Sequence, residues 1–231
     1  MARVLVVSGS PGDEVLGCGG TLALHARRGD EIRVAVLGDG WTSRMPSHAK
    51  GIETVDLDVL ETQEREALRI LGVQTIEYHR YADNRFDVIP LLDLVKTVEK
   101  IKETFAPDIV YTNSPFDLGI DQERTCRAVV TAFRPLPGDN RTALYCFEVL
   151  SSTGWRAEEA ARVFSPNVFV NIRETLDAKL AAFKRLSSEV RAWPHSRSSE
   201  SIDHLARSRG AFAGLDAAEA FMLLREVRDV K

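Results

Sequence analysis

Cysteine is scarce in this 231-residue chain: Cys18, Cys126 and Cys146 are an odd number, and none stands in a Cys-x-x-Cys spacing. This argues against a disulfide framework and against zinc held through sulfur, and it fits reduced thiols in a reducing compartment. Long apolar runs are lacking too. The longest, such as Val4-Leu5-Val6-Val7, fall far short of the roughly 20 residues of a membrane span. The first residues also have no extended apolar core of a secretory leader, so a cytoplasmic location is expected. Excess positive charge is absent as well. The formal charge is -4 with Lys and Arg spread along the chain, which leaves no basic footprint for a nucleic acid. Neither nucleic acid nor membrane is an expected partner; a small molecule or saccharide is.

What is present is ordinary for a globular protein. With 44% hydrophobic and 28% charged residues the chain can bury a sizeable core, and without repeats or low-complexity stretches a single domain over 1–231 with C-terminal additions is expected. Residues Arg3 to Ser8 form a β-branched run ended by Gly-Ser-Pro-Gly. Helical spacing follows from 14 to 28, then a strand over Ile32 to Leu37. That is a βαβ unit, which favours a parallel sheet. Further expectations are helices at about Leu57 to Leu71, Leu91 to Phe105 and up to Phe133, and strands at Thr75 to Tyr78, Ile109 to Thr112 and Ala143 to Leu150. Beyond these, Asn167 to Ile172 reads as a strand, Glu174 to Arg191 as a helix, and Ala217 to Leu224 as a closing helix. The fold expected is Rossmann-like α/β, a mostly parallel sheet flanked by helices. In such sheets ligands collect at the carboxyl ends of the strands, here the loops Ser8 to Glu14, Gly38 to Arg44 and Asn113 to Gln122.

Those loops carry a resemblance. Ser10-Pro11-Gly12-Asp13-Glu14 followed by Val15-Leu16-Gly17-Cys18-Gly19-Gly20, then Asp83-Asn84-Arg85-Phe86-Asp87, Asp117 to Asp121, Arg134 to Gly138 and Pro194 to Ser198 run in the order of signatures of the LmbE-like (PIG-L) family. The resemblance implies a zinc-dependent N-deacetylase fold acting on N-acetylglucosamine-type conjugates. In that family the first motif reads His-Pro-Asp-Asp-Glu. Its His and second Asp, with the His of a later Asp-His pair, bind zinc, and its first Asp activates water. Carried over, the ligand positions are Ser10, Asp13 and Gln122, and the base position is Gly12. Only Asp13 keeps the family residue.

Catalytic zinc takes about three His, carboxylate or thiolate ligands and an open position for water. A serine hydroxyl and a glutamine amide are poor replacements, and with Gly12 no carboxylate stands ready to take the proton of the water. No catalytic residue, metal or other cofactor is therefore assigned. None of the five histidines, His25, His48, His79, His195 and His204, lies in the first or third loop.

Other readings stay open beside this one. Asp13 and Glu14 either cap the first helix or touch a ligand. Asp13, Asp117 and Asp121 either gather a hard cation or are solvated and capping residues. Ser10 needs a nearby base to be a nucleophile, and His195 is the only candidate. His195 and Arg197 either line a pocket or end a helix and pair with an acid. Arg44 binds an anionic group or a surface acid. Trp41, Trp155 and Trp193 either stack on a sugar ring or pack. The candidate binding set is thus Asp13, Arg44, Asp117, Asp121, His195 and Arg197.

Three functions follow: a saccharide-binding protein that has lost zinc and deacetylation, an active deacetylase with replacement ligands among Asp13, Asp117, Asp121 and His195, or a structural subunit that associates with an active homologue; a homo-oligomer is compatible with each. Restoring Ser10→His, Gly12→Asp and Gln122→His together is expected to recruit zinc and yield deacetylation if only the chemistry was lost.

Overall fold

The computed structural model describes residues 1–40, 54–139, 141–156 and 163–228. Seven strands are present among them: β1 (Arg3–Ser8), β2 (Glu31–Gly38), β3 (Thr75–Tyr81), β4 (Ile109–Asn113), β5 (Ala143–Phe147), β6 (Val168–Asn171) and β7 (Ala218–Arg225). They form one sheet in the order β3-β2-β1-β4-β5-β7-β6. The pairs among β1 to β5 are parallel, and β7 runs antiparallel to both β5 and β6. Six helices cover it: α1 (Asp13–Arg27), α2 (Thr54–Ile70), α3 (Leu91–Phe105), α4 (Ile120–Ala132), α5 (Leu176–Arg185) and α6 (Ser199–Phe212).

The apolar run of β1 has a direct reason. Val4 and Val6 belong to the core shared with α1, α2 and α5, while Leu5 and Val7 belong to the core shared with α3 and α4. A strand buried on both faces is apolar at every position, whereas a strand with one wet face alternates. The expected elements through β4 are present with ends shifted by a few residues, as is usual at element termini.

The C-terminal third departs from expectation. Ala217 to Leu224 is not a helix: Ala218–Arg225 is strand β7. Its Ala, Glu, Met and Leu residues are good helix formers, but the slot between β5 and β6 overrides that preference, with Phe221 packed against Tyr111 and Tyr145. The expected helix from Glu174 to Arg191 spans only Leu176–Arg185, and residues 186–198 become the loop that borders the site. Helix α6 was not expected. Its start is set by Ser198, whose hydroxyl accepts from the Ser201 N–H at 3.0 Å.

Helix α1 is broken at Cys18, where φ is -139°. Close packing sets its path: a Cβ on Gly17 would stand 2.1 Å from Phe147 and one on Gly20 2.9 Å from Ile172. At the break the N–H groups of Gly20 and Thr21 donate to the two oxygens of buried Glu219, at 2.8 and 2.7 Å. Lys179 donates to the Leu16 carbonyl at 2.7 Å and to Glu219 at 2.6 Å. A buried ion pair thus supplies the partners that a continuous helix supplies itself.

Breaking such a pair leaves an uncompensated buried charge, so Glu219→Ala is expected to lower stability by about 3–5 kcal/mol. Urea denaturation measures this; a loss under about 1 kcal/mol would contradict the account.

Candidate functional site

At the carboxyl ends of β1 to β5 lies a cleft of about 450 Å³. Ser10 and Pro11 enter it from the loop after β1, Asp83 and Asn84 from the loop after β3, Gln122 from the first turn of α4, and Leu186 to Arg197 from the loop after α5. The site therefore falls where an open parallel sheet is expected to place it.

Its floor is a hydrogen-bonded knot around Asp13, which is 2% exposed. The Oδ2 of Asp13 accepts from Asn113 Nδ2 at 2.9 Å, from Gln122 Nε2 at 3.0 Å and from the Ser10 N–H at 3.3 Å. The same Gln122 Nε2 donates to Ser10 Oγ at 3.1 Å, and Ser10 Oγ donates to Asp83 at 3.3 Å. Toward the ionised Asp13, whose oxygens only accept, Gln122 turns its NH2. Burial pushes the Asp13 carboxyl up to about 6, against the opposing bonds of Gln122 and Asn113.

Gly12 sits above a second acid. Its φ is +86°, and its N–H donates to Glu64 Oε1 at 3.0 Å. Glu64 and Glu14 are both fully buried, and neither carboxyl oxygen of Glu14 nor Oε2 of Glu64 has a hydrogen-bond partner among the described residues. Burial raises both, Glu64 to about 7, with the mutual repulsion adding to the rise at Glu14. Asp13 and Glu14 do not cap α1, whose N-cap Gly12 has no side-chain cap bond. Glu64 left a signal in the sequence: Leu60, Ala67 and Leu68 are the buried stripe of α2, continued by Leu71 just past its end, and Glu64 falls on it.

The remaining candidates divide into those that face the cleft and those that hold it. Asp117 accepts from Ser152 and Thr153 at 3.0 and 2.6 Å and from the Gly119 N–H at 2.9 Å. Asp121 accepts from the N–H groups of Asn84 and Phe86 at 2.6 and 3.0 Å. Both fasten loops to one another. Arg197 lines the cleft, pairs with Glu189 and donates to Ser151 Oγ at 3.0 Å. His195 is exposed and accepts from the Arg197 N–H at 2.9 Å, so it shapes the turn that presents Arg197 and makes no bond to Ser10. Trp155 and Trp193 are exposed, and Trp193 meets His204 edge-on at 5.3 Å. Arg44 and Trp41 lie outside the described residues. Gln63, Ser188, Glu189 and Arg191 also line the cleft and were not singled out, because only the packing of the 186–198 loop against α2 brings them there; Ser152, held to Asp117, enters from the segment after β5.

A mostly parallel α/β sheet with a polar cleft at its carboxyl edge defines a Rossmann-like α/β protein. The PIG-L family model, described as GlcNAc-PI de-N-acetylase, matches residues 5–133, and the chain belongs to this family. It is 29% identical over 191 residues to the uncharacterized deacetylase YaiS of Escherichia coli K12, which covers 80% of this chain and 90% of that one. The fold is shared with N,N'-diacetylchitobiose deacetylase from Pyrococcus horikoshii, with a TM-score of 0.75, 22% identity and 96% and 84% of the two chains covered. It is shared equally with GalB, the 4-carboxy-2-hydroxymuconate hydratase of Pseudomonas putida KT2440, with a TM-score of 0.74, 20% identity and complete coverage of both chains.

The residues at the family's zinc positions do not fit the ion. They comprise one carboxylate, one hydroxyl and an amide that presents its NH2, a donor with no lone pair to offer. Among the described residues no three His, Cys, Asp or Glu side chains are grouped to hold a metal. No three of Asp13, Asp117, Asp121 and His195 form such a group.

Two outcomes are expected. A Cβ at Gly12 would meet Leu186 Cδ1 at 3.0 Å in a left-handed backbone, so Gly12→Asp should cost about 1–2 kcal/mol. Thermal unfolding should drop by about 2–4 °C per kcal/mol, and an unchanged midpoint would contradict the strain. The second concerns pH. Asp13 and Asp121 are raised from 3.8 to about 6 and Glu64 from 4.5 to about 7, so the folded chain holds the extra protons in that window. Stability from these groups is full below the unfolded values and declines as pH rises through about 6 to 7. Urea midpoints at about pH 5.5 and pH 8 test it; a midpoint at the alkaline pH equal to or above the acid one would contradict it.

Proposed function

We propose that this chain is a PIG-L protein that binds a saccharide or sugar conjugate and does not carry out zinc-dependent N-deacetylation. The observation that carries the reading is the Gln122 amide, which reaches both Ser10 Oγ and Asp13 Oδ2 and so occupies with donors the place where a cation would need acceptors. Gly12 adds the second deficit, since no carboxylate stands there to take a proton from water.

The cleft remains built without the ion. Its lining offers hydroxyl, amide, carboxylate and guanidinium groups on several loops, a pattern suited to a ligand rich in hydroxyls. The fold relative named for N,N'-diacetylchitobiose supports a sugar, while the hydratase on the same fold supports a change of chemistry within it. The cytoplasm suits its three cysteines, all free and buried. No helix among the described residues is long and apolar enough to cross a membrane.

Chelated protein, re-exposed to excess zinc and desalted, is expected to retain far less than one zinc per chain and to release no acetate from N-acetylglucosamine or N,N'-diacetylchitobiose. Calorimetric titration with the same sugars is expected to show binding. Stoichiometric zinc together with chelator-sensitive acetate release would overturn the proposal.

A further inference from the structure

The part of the cleft lined by Gln63, Arg191 and Arg197 has its hydrogen-bonding capacity biased in one direction. Gln63 Oε1 accepts from the Ser188 N–H at 3.3 Å and from Ser188 Oγ at 3.2 Å. An N–H can only donate, so the oxygen of Gln63 is the committed atom and its NH2 is what remains for a ligand. Arg197 commits Nε to Ser151 and NH1 to Glu189, leaving its second terminal nitrogen. Arg191 commits only NH1, which donates at 2.9 Å to the carbonyls of Ser188 and Val190. Its own N–H closes the loop by donating to the Arg197 carbonyl at 2.9 Å.

Arg191 differs from Arg197 in one respect that matters. Arg197 has Glu189 as a counter-charge, whereas among the described residues no carboxylate pairs with Arg191. Its guanidinium is nevertheless held by two carbonyls and lines the cleft. A long cationic side chain ordinarily loses rotamer freedom when so placed, and here that loss has already been met by main-chain acceptors. A guanidinium fixed in this way, with two nitrogens uncommitted, matches the paired oxygens of a phosphate or carboxylate. On the Asp83 and Asn84 side of the cleft, Asn84 commits its Nδ2 to Asp83 at 3.1 Å, which leaves its amide oxygen as an acceptor suited to a hydroxyl of a sugar ring.

We infer that the ligand is an anionic sugar, one whose ring lies toward Ser10, Asp83 and Asn84 and whose phosphate or carboxylate group is held by Arg191 with the NH2 of Gln63 and the free nitrogen of Arg197. This rests on the reading of the cleft as a sugar site and adds the charged group to it.

The test is calorimetric titration at low ionic strength with N-acetylglucosamine, its 1-phosphate and 6-phosphate, glucuronic acid and inorganic phosphate. The phosphate and carboxylate arms separate the two sources of negative charge. At least one anionic sugar is expected to bind about ten- to a hundredfold more tightly than the neutral one, with a preference that falls as salt rises. Arg191→Gln should collapse that ratio. Gln63→Glu, which keeps the acceptor for Ser188 and sets a like charge on the same wall, should do so without disturbing the 186–198 loop. Equal binding of neutral and anionic sugars overturns this inference and leaves the sugar site standing, as does a ratio that survives both substitutions. Binding of inorganic phosphate, lost in Arg191→Gln, with no sugar bound supports the anion site and overturns the sugar. If nothing binds, both fall.

Discussion

A single amide group organises the site. The Gln122 NH2 joins Ser10, on the loop after β1, to Asp13, on the first turn of α1, and does so from the first turn of α4. In a metal centre a cation would tie the same three elements and would hold the aspartate ionised. Here neutral donors do the tying, so burial dominates at Asp13 and its carboxyl stays protonated to higher pH than an exposed one. Each such bond contributes only about 1 kcal/mol net, but an unpartnered buried carboxylate costs several times that, so the knot matters more for what its loss would expose.

The substitution at position 12 is matched by the backbone around it. Gly12 adopts a left-handed conformation and its N–H is taken by Glu64 from α2, while Leu186 closes over the position a Cβ would fill. Three elements therefore fit around the absence of a side chain at the base position. A site altered only by side-chain exchange would leave that position open. Here the surrounding packing makes the exchange and the backbone one feature, and the sharing of this fold by a hydratase is consistent with a scaffold whose chemistry lies in a few loop residues.

The sequence was most informative where physical rules act locally. The β-branched runs placed β1, β2 and β4, and the convergence of loops at the carboxyl edge located Ser10, Asp13 and Gln122 in one site. Reading failed where tertiary context decides. Ala218–Arg225 has helix-forming residues yet fills a slot in the sheet, and Glu219 within it is there to meet the broken turn of α1, a partner about 200 residues away that no local pattern reveals. Arg191 and Gln63 were missed for a related reason: each becomes a site residue only when the 186–198 loop folds against α2. Glu64 was legible in principle, as a charge on an apolar stripe.

Anomalous scattering at the zinc edge, from crystals grown with excess zinc at about neutral pH, tests the central claim most directly. The account predicts no peak between Ser10, Asp13 and Gln122 and an amide nitrogen within hydrogen-bond distance of the aspartate. A strong peak there, with Gln122 turned to offer its oxygen and Asp13 bound to the metal, would contradict it.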